Sequence, residues 1–280
     1  MLKGVFGRKV SVIVGVASTG VSIDISDLHI MFTVKSGRGV DKTAVLTVFN
    51  LSKETLTAVN SSLDDSFITI TAGYSEGNPA RKLFDGRVTG ITPLNVGADI
   101  QYSLNCVGSP TRKFEVVSKK YPEATSASTI INDLAKDLGM DTEYHPAVAL
   151  KLGLKLYAGG YTVYGSAFKT ILDIANDVSS EVAIEGNIIK FFSNSEGNTI
   201  RVVFLTKETG LLEGLKEGKK STDTAKTFTC KSILMPELNR GSKVNIDDGF
   251  ISGTFKVVGV THKGSNFGDD YSTNLEVEQL

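Results

Sequence analysis

The stretch "AVLTVFNLSKETL", Ala44 to Leu56, begins with strand periodicity and ends with helix signals. Successive side chains of a strand alternate between its faces. Ala44, Leu46 and Val48 therefore share one side, and Val45, Phe49 and Leu51 the other, with only Thr47 among them. A strand with two apolar faces needs cover on both. Ser52 then reads as the N-cap of a short helix over about residues 53–60, with Leu51 and Leu56 at the two positions of a hydrophobic staple.

Residues 1–110 read as a β domain. The run Val10–Ala17 predicts a first strand, although Lys3, Arg8 and Lys9 precede it as they would in a secretory signal; the run is short, β-branched and broken by Ser11 and Gly15. Leu28, Ile30, Phe32 and Val34 alternate with His29, Met31, Thr33 and Lys35. "SFITITAGY" (66–74), "KLFDGRVTGITPL" (82–94) and "ADIQYSLNCVG" (98–108) follow, each bounded by turn residues, as in a sandwich or barrel.

Residues 111–195 change character. Ile130, Ile131, Leu134 and Leu138 fall at helical spacing before Gly139. Phe168, Ile171, Leu172, Ala175 and Val178 do the same after a Ser166 cap. "EVAIEGNIIKFF" predicts a hairpin turning at Gly186-Asn187. The expectation is a small α/β insert of two helices and a hairpin. Residues 196–280 return to strands, with "TKETGLLEGLKEGKKSTDT" (206–224) expected as a mobile loop. A faint echo links the outer parts: "VTGIT" (88–92) and "VVGVT" (257–261) each precede a polar turn and an alternating strand. The fold class is thus mainly β (α+β), two related β-barrel or sandwich domains flanking the insert.

A net charge of −1 gives no electrostatic case for sequence-independent nucleic-acid binding, and no apolar run approaches a membrane span. Cys106 and Cys230 sit in alternating strand-like runs and read as small buried thiols. His29, His145 and His262 stand far apart in sequence with no cysteine or carboxylate at ligand spacing, and His262 is expected at a strand end. Ser166 and Lys169 fit S-x-x-K, yet a helix-capping serine followed by a solvated lysine explains the same spacing. Residues 160–166 carry P-loop glycine spacing with serine in place of the lysine. Asp64-Asp65, Asp247-Asp248 and Asp269-Asp270 lie in predicted turns. No catalytic residue, cofactor or metal is expected. Strands are many and reactive groups few, which favours a structural or interaction protein.

"DLHIMFTVKSG", "KTAVLTVFNLSKETL", "ITITAGYSEG" and "LFDGRVTGI", in that order, resemble the N-terminal domain of phage baseplate hub proteins, which join the tail tube to the central spike. "TGLLEG" (209–214), "KSILMPELNRGSKVNI" (231–246) and "FKVVGVTHKG" (255–264) resemble that family's C-terminal barrel. The pattern along the chain places domains at 1–110, 111–195 and 196–280, and the resemblance implies that the two outer ones are tube-type β domains. The resemblance also implies a homotrimer whose six β modules adapt a six-fold tube to a three-fold spike and line part of a DNA conduit. The implied partners are the tail tube protein, the spike as a separate chain, other baseplate proteins and DNA passing without specific binding. No membrane anchor is implied, and the site is the virion tail after assembly in the host cytoplasm. Phe32, Val48, Phe49, Leu51, Ser52 and Leu56 are the candidate structural or interface residues. Another tail component, such as a distal tail or tube-terminating protein, and a cell-wall hydrolase using turn carboxylates are the alternatives.

Two substitutions follow from this reading. Phe49→Asp should abolish folding or assembly. Ser166→Ala should cost only a capping contribution of about 1 kcal/mol in a denaturation curve; loss of function with the fold intact would instead make that serine a nucleophile.

Overall fold

A computed structural model describes residues 6–16, 20–37, 41–60, 63–108, 116–185, 187–193, 198–218, 226–268 and 270–280. Its contacts divide the chain into two units, 1–108 with 199–280, and 109–198. The architecture is mainly β, with large antiparallel sheets.

The first unit begins with β1 (Phe6–Val16), β2 (Val21–Asp24), β3 (Ile30–Ser36) and β4 (Thr43–Phe49). Then come α1 (Lys53–Asn60), β5 (Ser66–Glu76), β6 (Arg81–Val96) and β7 (Asp99–Val107). The expected capping is present: the Ser52 hydroxyl accepts the Thr55 N–H at 3.1 Å, Leu51 is buried, and Leu56 packs against the same core. The alternation of β3 and β4 is realised as register. Phe32 lies opposite Leu46, and Ile30 opposite Val48, all four facing a core shared with Val12, Ile68, Ile70, Leu83, Phe84 and Leu104.

The second unit, the insert, holds β8 (Val116–Tyr121), β9 (Thr125–Ser126), α2 (Ala127–Asp137), β10 (Asp141–Tyr144) and α3 (Pro146–Leu154). It continues with β11 (Leu156–Tyr157), β12 (Tyr161–Ser166), α4 (Ala167–Asp177), β13 (Ser180–Glu185) and β14 (Ile188–Ser193). The two expected helices and the hairpin are there; Glu185 pairs with Ile188 across the two-residue turn, of which Gly186 lies outside the described residues. A third helix, α3, corrects the expectation of two. Its apolar residues spread around most of the helix, with Lys151 and Gly153 among them, so no 3.6-residue stripe marks it. Its signals are local: His145 as N-cap and Pro146 in the first turn.

The first unit resumes with β15 (Asn198–Leu205), β16 (Leu211–Glu217), β17 (Thr227–Ile233), β18 (Ser242–Asp247), β19 (Ser252–Ser265) and β20 (Tyr271–Gln279). The loop expected over 206–224 is in part a strand. β16 pairs antiparallel with β17, but two register shifts between Leu211 and Lys216 break the alternation that would have revealed it. Residues 219–224 of that stretch lie outside the described residues.

The two β stretches repeat one topology. In the first, β1 pairs β5, β5 pairs β6, β6 pairs β7, β7 pairs β4 and β4 pairs β3. In the second, β15 pairs β18, β18 pairs β19, β19 pairs β20, β20 pairs β17 and β17 pairs β16. The sequence echo marks the same bulge in both. Register skips Thr89 between Val88 and Gly90 opposite Cys106 and Asn105, and skips Val258 between Val257 and Gly259 opposite Val277 and Glu276. Each half has its own core, the second built on Phe228, Cys230, Val244, Ile246, Phe255, Val257, Leu275 and Val277. Met235 and Leu238, in the segment between β17 and β18, enter the second core much as Leu51 and Val59 enter the first.

One seam fuses the halves. Residues 260–265 of β19 pair antiparallel with residues 31–36 of β3, so that thirteen strands among the described residues form one sheet. Tyr271 pins this seam to the far strands of the first half. Its hydroxyl accepts the Gly73 N–H at 2.9 Å and faces the carbonyls of Gly73 (2.6 Å) and Lys9 (2.9 Å). Its ring meets Tyr74 edge-on at 5.2 Å and lies under the Arg8 guanidinium. Gly73 must be glycine here: its φ is +158°, and a Cβ would sit 2.4 Å from the Ala80 Cα. Tyr271→Phe should leave the Gly73 N–H and two carbonyls without this partner and cost about 1–3 kcal/mol in chemical denaturation; an unchanged midpoint would show that the latch contributes nothing.

Candidate interaction surface

β4 meets the expectation of cover on one face only. Ala44, Leu46 and Val48 are buried in the first core, whereas Val45 is 42% exposed and Thr47 and Phe49 are half-buried. α1 does not cover that second face. Its Val59 belongs to the inner core, and the helix packs against β1. The uncovered face extends along register rows. One row runs Thr92, Ser103, Thr47, Met31, Ser265, and the next Gly90, Asn105, Val45, Thr33, Lys263. The surface is hydroxyl- and amide-rich with a single charge in these two rows. Met31, Val45, Thr47 and Lys263 line an open groove of about 430 Å³ on it. Phe49 ends the face in an aromatic stack, parallel to the His29 ring at 4.5 Å, with Phe267 edge-on to His29 at 5.6 Å.

The candidate residues thus divide. Phe32, Val48 and Leu51 are buried in the first core, Leu56 packs on it, and Ser52 caps α1. Phe49 alone of the six sits on the outer face. Alternation separates Ala44, Leu46 and Val48 from Val45 and Phe49, but it puts Leu51 with the latter two, whereas Leu51 is buried with the former: β4 ends at Phe49 and Asn50 takes a φ of +55°, which breaks the alternation. Which face of β4 looks inward is decided by β3 and β7, which sequence spacing does not place.

A second exposed feature was missed at the sequence level. From Thr92 to Ile100 the β6–β7 hairpin is exposed on both faces, with Leu94 57%, Val96 44% and Ile100 40% exposed. An isolated two-stranded ribbon is marginal in water, and apolar side chains on both faces of one signal contact with something else. "ITPLNV" reads as ordinary strand because periodicity reports alternation and not the presence of neighbouring strands.

Residues 28–210 match the baseplate hub gp41 family. The chain belongs to that family. No curated protein matches it in sequence. Solved structures share the fold of this hub-family chain. A tail protein from Neisseria meningitidis MC58 superposes with a TM-score of 0.67 at 10% identity, covering 98% of this chain and 97% of that one. The 43 kDa tail protein of prophage MuSo2 from Shewanella oneidensis gives 0.63 at 6% identity, covering 96% and 98%. The E. coli c3393 protein gives 0.56 at 12% identity, covering 90% and 73%; it is a component of the type VI secretion system with structural similarity to T4 bacteriophage tail proteins gp27 and gp5.

Several side chains of reactive type among the described residues are engaged structurally. Ser166 accepts the Lys169 N–H at 3.3 Å as the cap of α4. Burial pushes the thiols of Cys106 and Cys230 up to about 12, so both stay protonated at neutral pH. His145 caps α3 by accepting the Ala147 N–H at 3.3 Å. Asp248 accepts three backbone N–H groups, from Phe250 (2.8 Å), Ile251 (2.7 Å) and Leu215 (2.8 Å), which hold its carboxyl below the usual range. Lys119 lies between Asp133 and Asp137, and the Tyr121 hydroxyl donates to Asp133 at 2.7 Å. Among the described residues no group of three His, Cys, Asp or Glu could hold a metal ion.

His262 corrects its expected place at a strand end. β19 runs on to Ser265, and the ring is fully buried. Only an N–H can face the Leu238 carbonyl, so Nε2 donates to it at 3.1 Å and Nδ1 accepts from the Thr273 hydroxyl at 2.9 Å. That hydroxyl accepts the Met235 N–H at 2.9 Å. Burial, with Lys42 nearby, pushes the imidazole down to about 3. The unfolded chain therefore takes up a proton below about pH 6.5 that the folded chain refuses. Stability from this group is complete above that pH and falls by about 1.4 kcal/mol per unit as pH drops toward 3. His262→Gln should lower stability at pH 7.5 and flatten the slope between pH 6 and 4.5; an unchanged slope would assign the acid sensitivity to other groups.

Proposed function

We propose that this chain is the homotrimeric hub of a tail baseplate, a symmetry adaptor between a six-fold tail tube and a three-fold spike that encloses part of the DNA path. The observation that carries the reading is the repeated topology, with the same bulge after Val88 and after Val257. Two equivalent β modules per chain give six in a trimer, so three-fold packing below can coexist with quasi-six-fold packing above. Family membership supports the tail location. The shared fold with the E. coli secretion-system component, itself similar to T4 tail proteins gp27 and gp5, supports tube and spike proteins as the partners. A net charge of −1 suits a conduit, because a strongly basic lumen would retain the passing phosphates. The six candidate residues act in this reading mainly by shaping the first module, with Phe49 on its outer face.

Size-exclusion chromatography with light scattering tests the proposal. The expected mass is three times the 29.9 kDa of one chain for the chain alone, or three chains plus the bound spike when spike protein is added. A single-chain mass under both conditions would overturn it.

A further inference from the structure

We propose that the outer face of α3, continued by Leu156, is a docking surface for an anionic lipid bilayer. All the residues involved belong to the insert, outside the repeated β modules.

The helix has two opposed faces. Val148 and Leu152 are buried, and the helix packs against α2 and β14. At about 100° per residue, Leu150 and Leu154 lie on the far side of the helix from that pair. They stand one turn apart and are 64% and 73% exposed; Leu156, just past the helix end, is 57% exposed. A surface helix ordinarily turns its charged and polar residues to that side. Here the exposed residues around the leucines are Pro146, Ala149, Lys151 and Gly153. The inner face already anchors the helix, so the outer leucines add nothing to the core. Exposed apolar side chains grouped in this way mark a contact with something else.

Charge names the contact. Residues 144–172 contain no Asp or Glu, whereas Lys151, Lys155 and Lys169 fall among them. Lys151 is exposed, lies next to both leucines on the helix surface, and has no ion partner among the described residues. Lys155 is held by Asp177 at 2.8 Å, with its ammonium also over the Tyr157 ring. Tyr157, which follows Leu156, stands beside Tyr161 with ring centroids 4.5 Å apart. Leucine, lysine and tyrosine in one place suit a bilayer surface. The alkyl chains enter the acyl boundary, the ammonium meets lipid phosphates, and the phenols sit at headgroup level.

Other occupants fit less well. Two copies of this face in contact would set Lys151 against its own copy with no carboxylate on the helix between them. The other exposed apolar element, the ribbon from Thr92 to Ile100, lacks the matching charge. It carries Asp99 and no Lys or Arg, so an anionic surface would repel it. Attachment through three leucines and few lysines is reversible. Each buried leucine contributes about tenfold or more in affinity, and each lysine near an anionic surface a few-fold.

The test is co-sedimentation of the full chain with vesicles of phosphatidylglycerol and phosphatidylethanolamine, against vesicles of phosphatidylcholine alone. Wild-type protein should sediment with the anionic vesicles, bind the neutral ones about tenfold less, and bind less at high salt, where charge is screened. Leu150→Gln with Leu154→Gln should weaken binding about a hundredfold, and Lys151→Glu about tenfold. All three positions are exposed, so the denaturation midpoint should not move. Leu94→Gln in the ribbon should bind as wild type does. Wild-type protein that ignores anionic vesicles, or a double glutamine variant that binds them as wild type does, overturns the proposal. So does a light-scattering mass that falls when the two leucines are replaced, since the face then belongs to a second copy.

Discussion

Everything in the first unit depends on strand pairing between two parts of the chain more than two hundred residues apart. Without residues 260–265 against residues 31–36, β3 would show one bare edge and β19 another, and bare edges recruit other chains. The pairing converts two half-modules, each with its own core, into a single sheet. Tyr271 adds a hydrogen-bonded anchor near the same place, reaching Gly73 and Lys9 from the far strand.

That arrangement explains how residues 109–198 can be inserted in the sequence between the halves. Closing a loop costs entropy that grows only with the logarithm of its length, about 0.6 kcal/mol for each doubling. The seam therefore tolerates residues 109–198 between its partners at little cost. Those residues carry their own caps on α2 and α4, Ser126 and Ser166, and their own ion pairs, such as Lys119 with Asp133.

Much of the fold was legible because the chain obeys local rules. Ile30, Phe32 and Val34 alternate and face the core; Ser52, Ser126 and Ser166 cap helices where serine precedes an apolar stripe. The failures have physical causes. The apolar residues of α3 are spread around most of the helix instead of lying in one stripe, so the 3.6-residue signal vanishes. β16 is bulged twice, so the two-residue signal vanishes. His262 looked terminal because Lys263 follows it, although that lysine simply points to the opposite face of the same strand. The exposed surface was least readable. Whether Val45 or Leu46 faces inward, and whether Leu94 has a neighbour, depend on strands distant in sequence. The family resemblance supplied the role that the residue pattern alone did not.

The position of the seam also bears on how the protein is made. A ribosome at about 5–20 residues per second would leave the β3 edge without its partner for on the order of ten seconds or longer. During that interval the nascent first half exposes both β3 and the Leu94–Ile100 ribbon to other nascent chains. The yield of native protein therefore depends on how well that edge is shielded during synthesis as well as on the stability of the finished sheet.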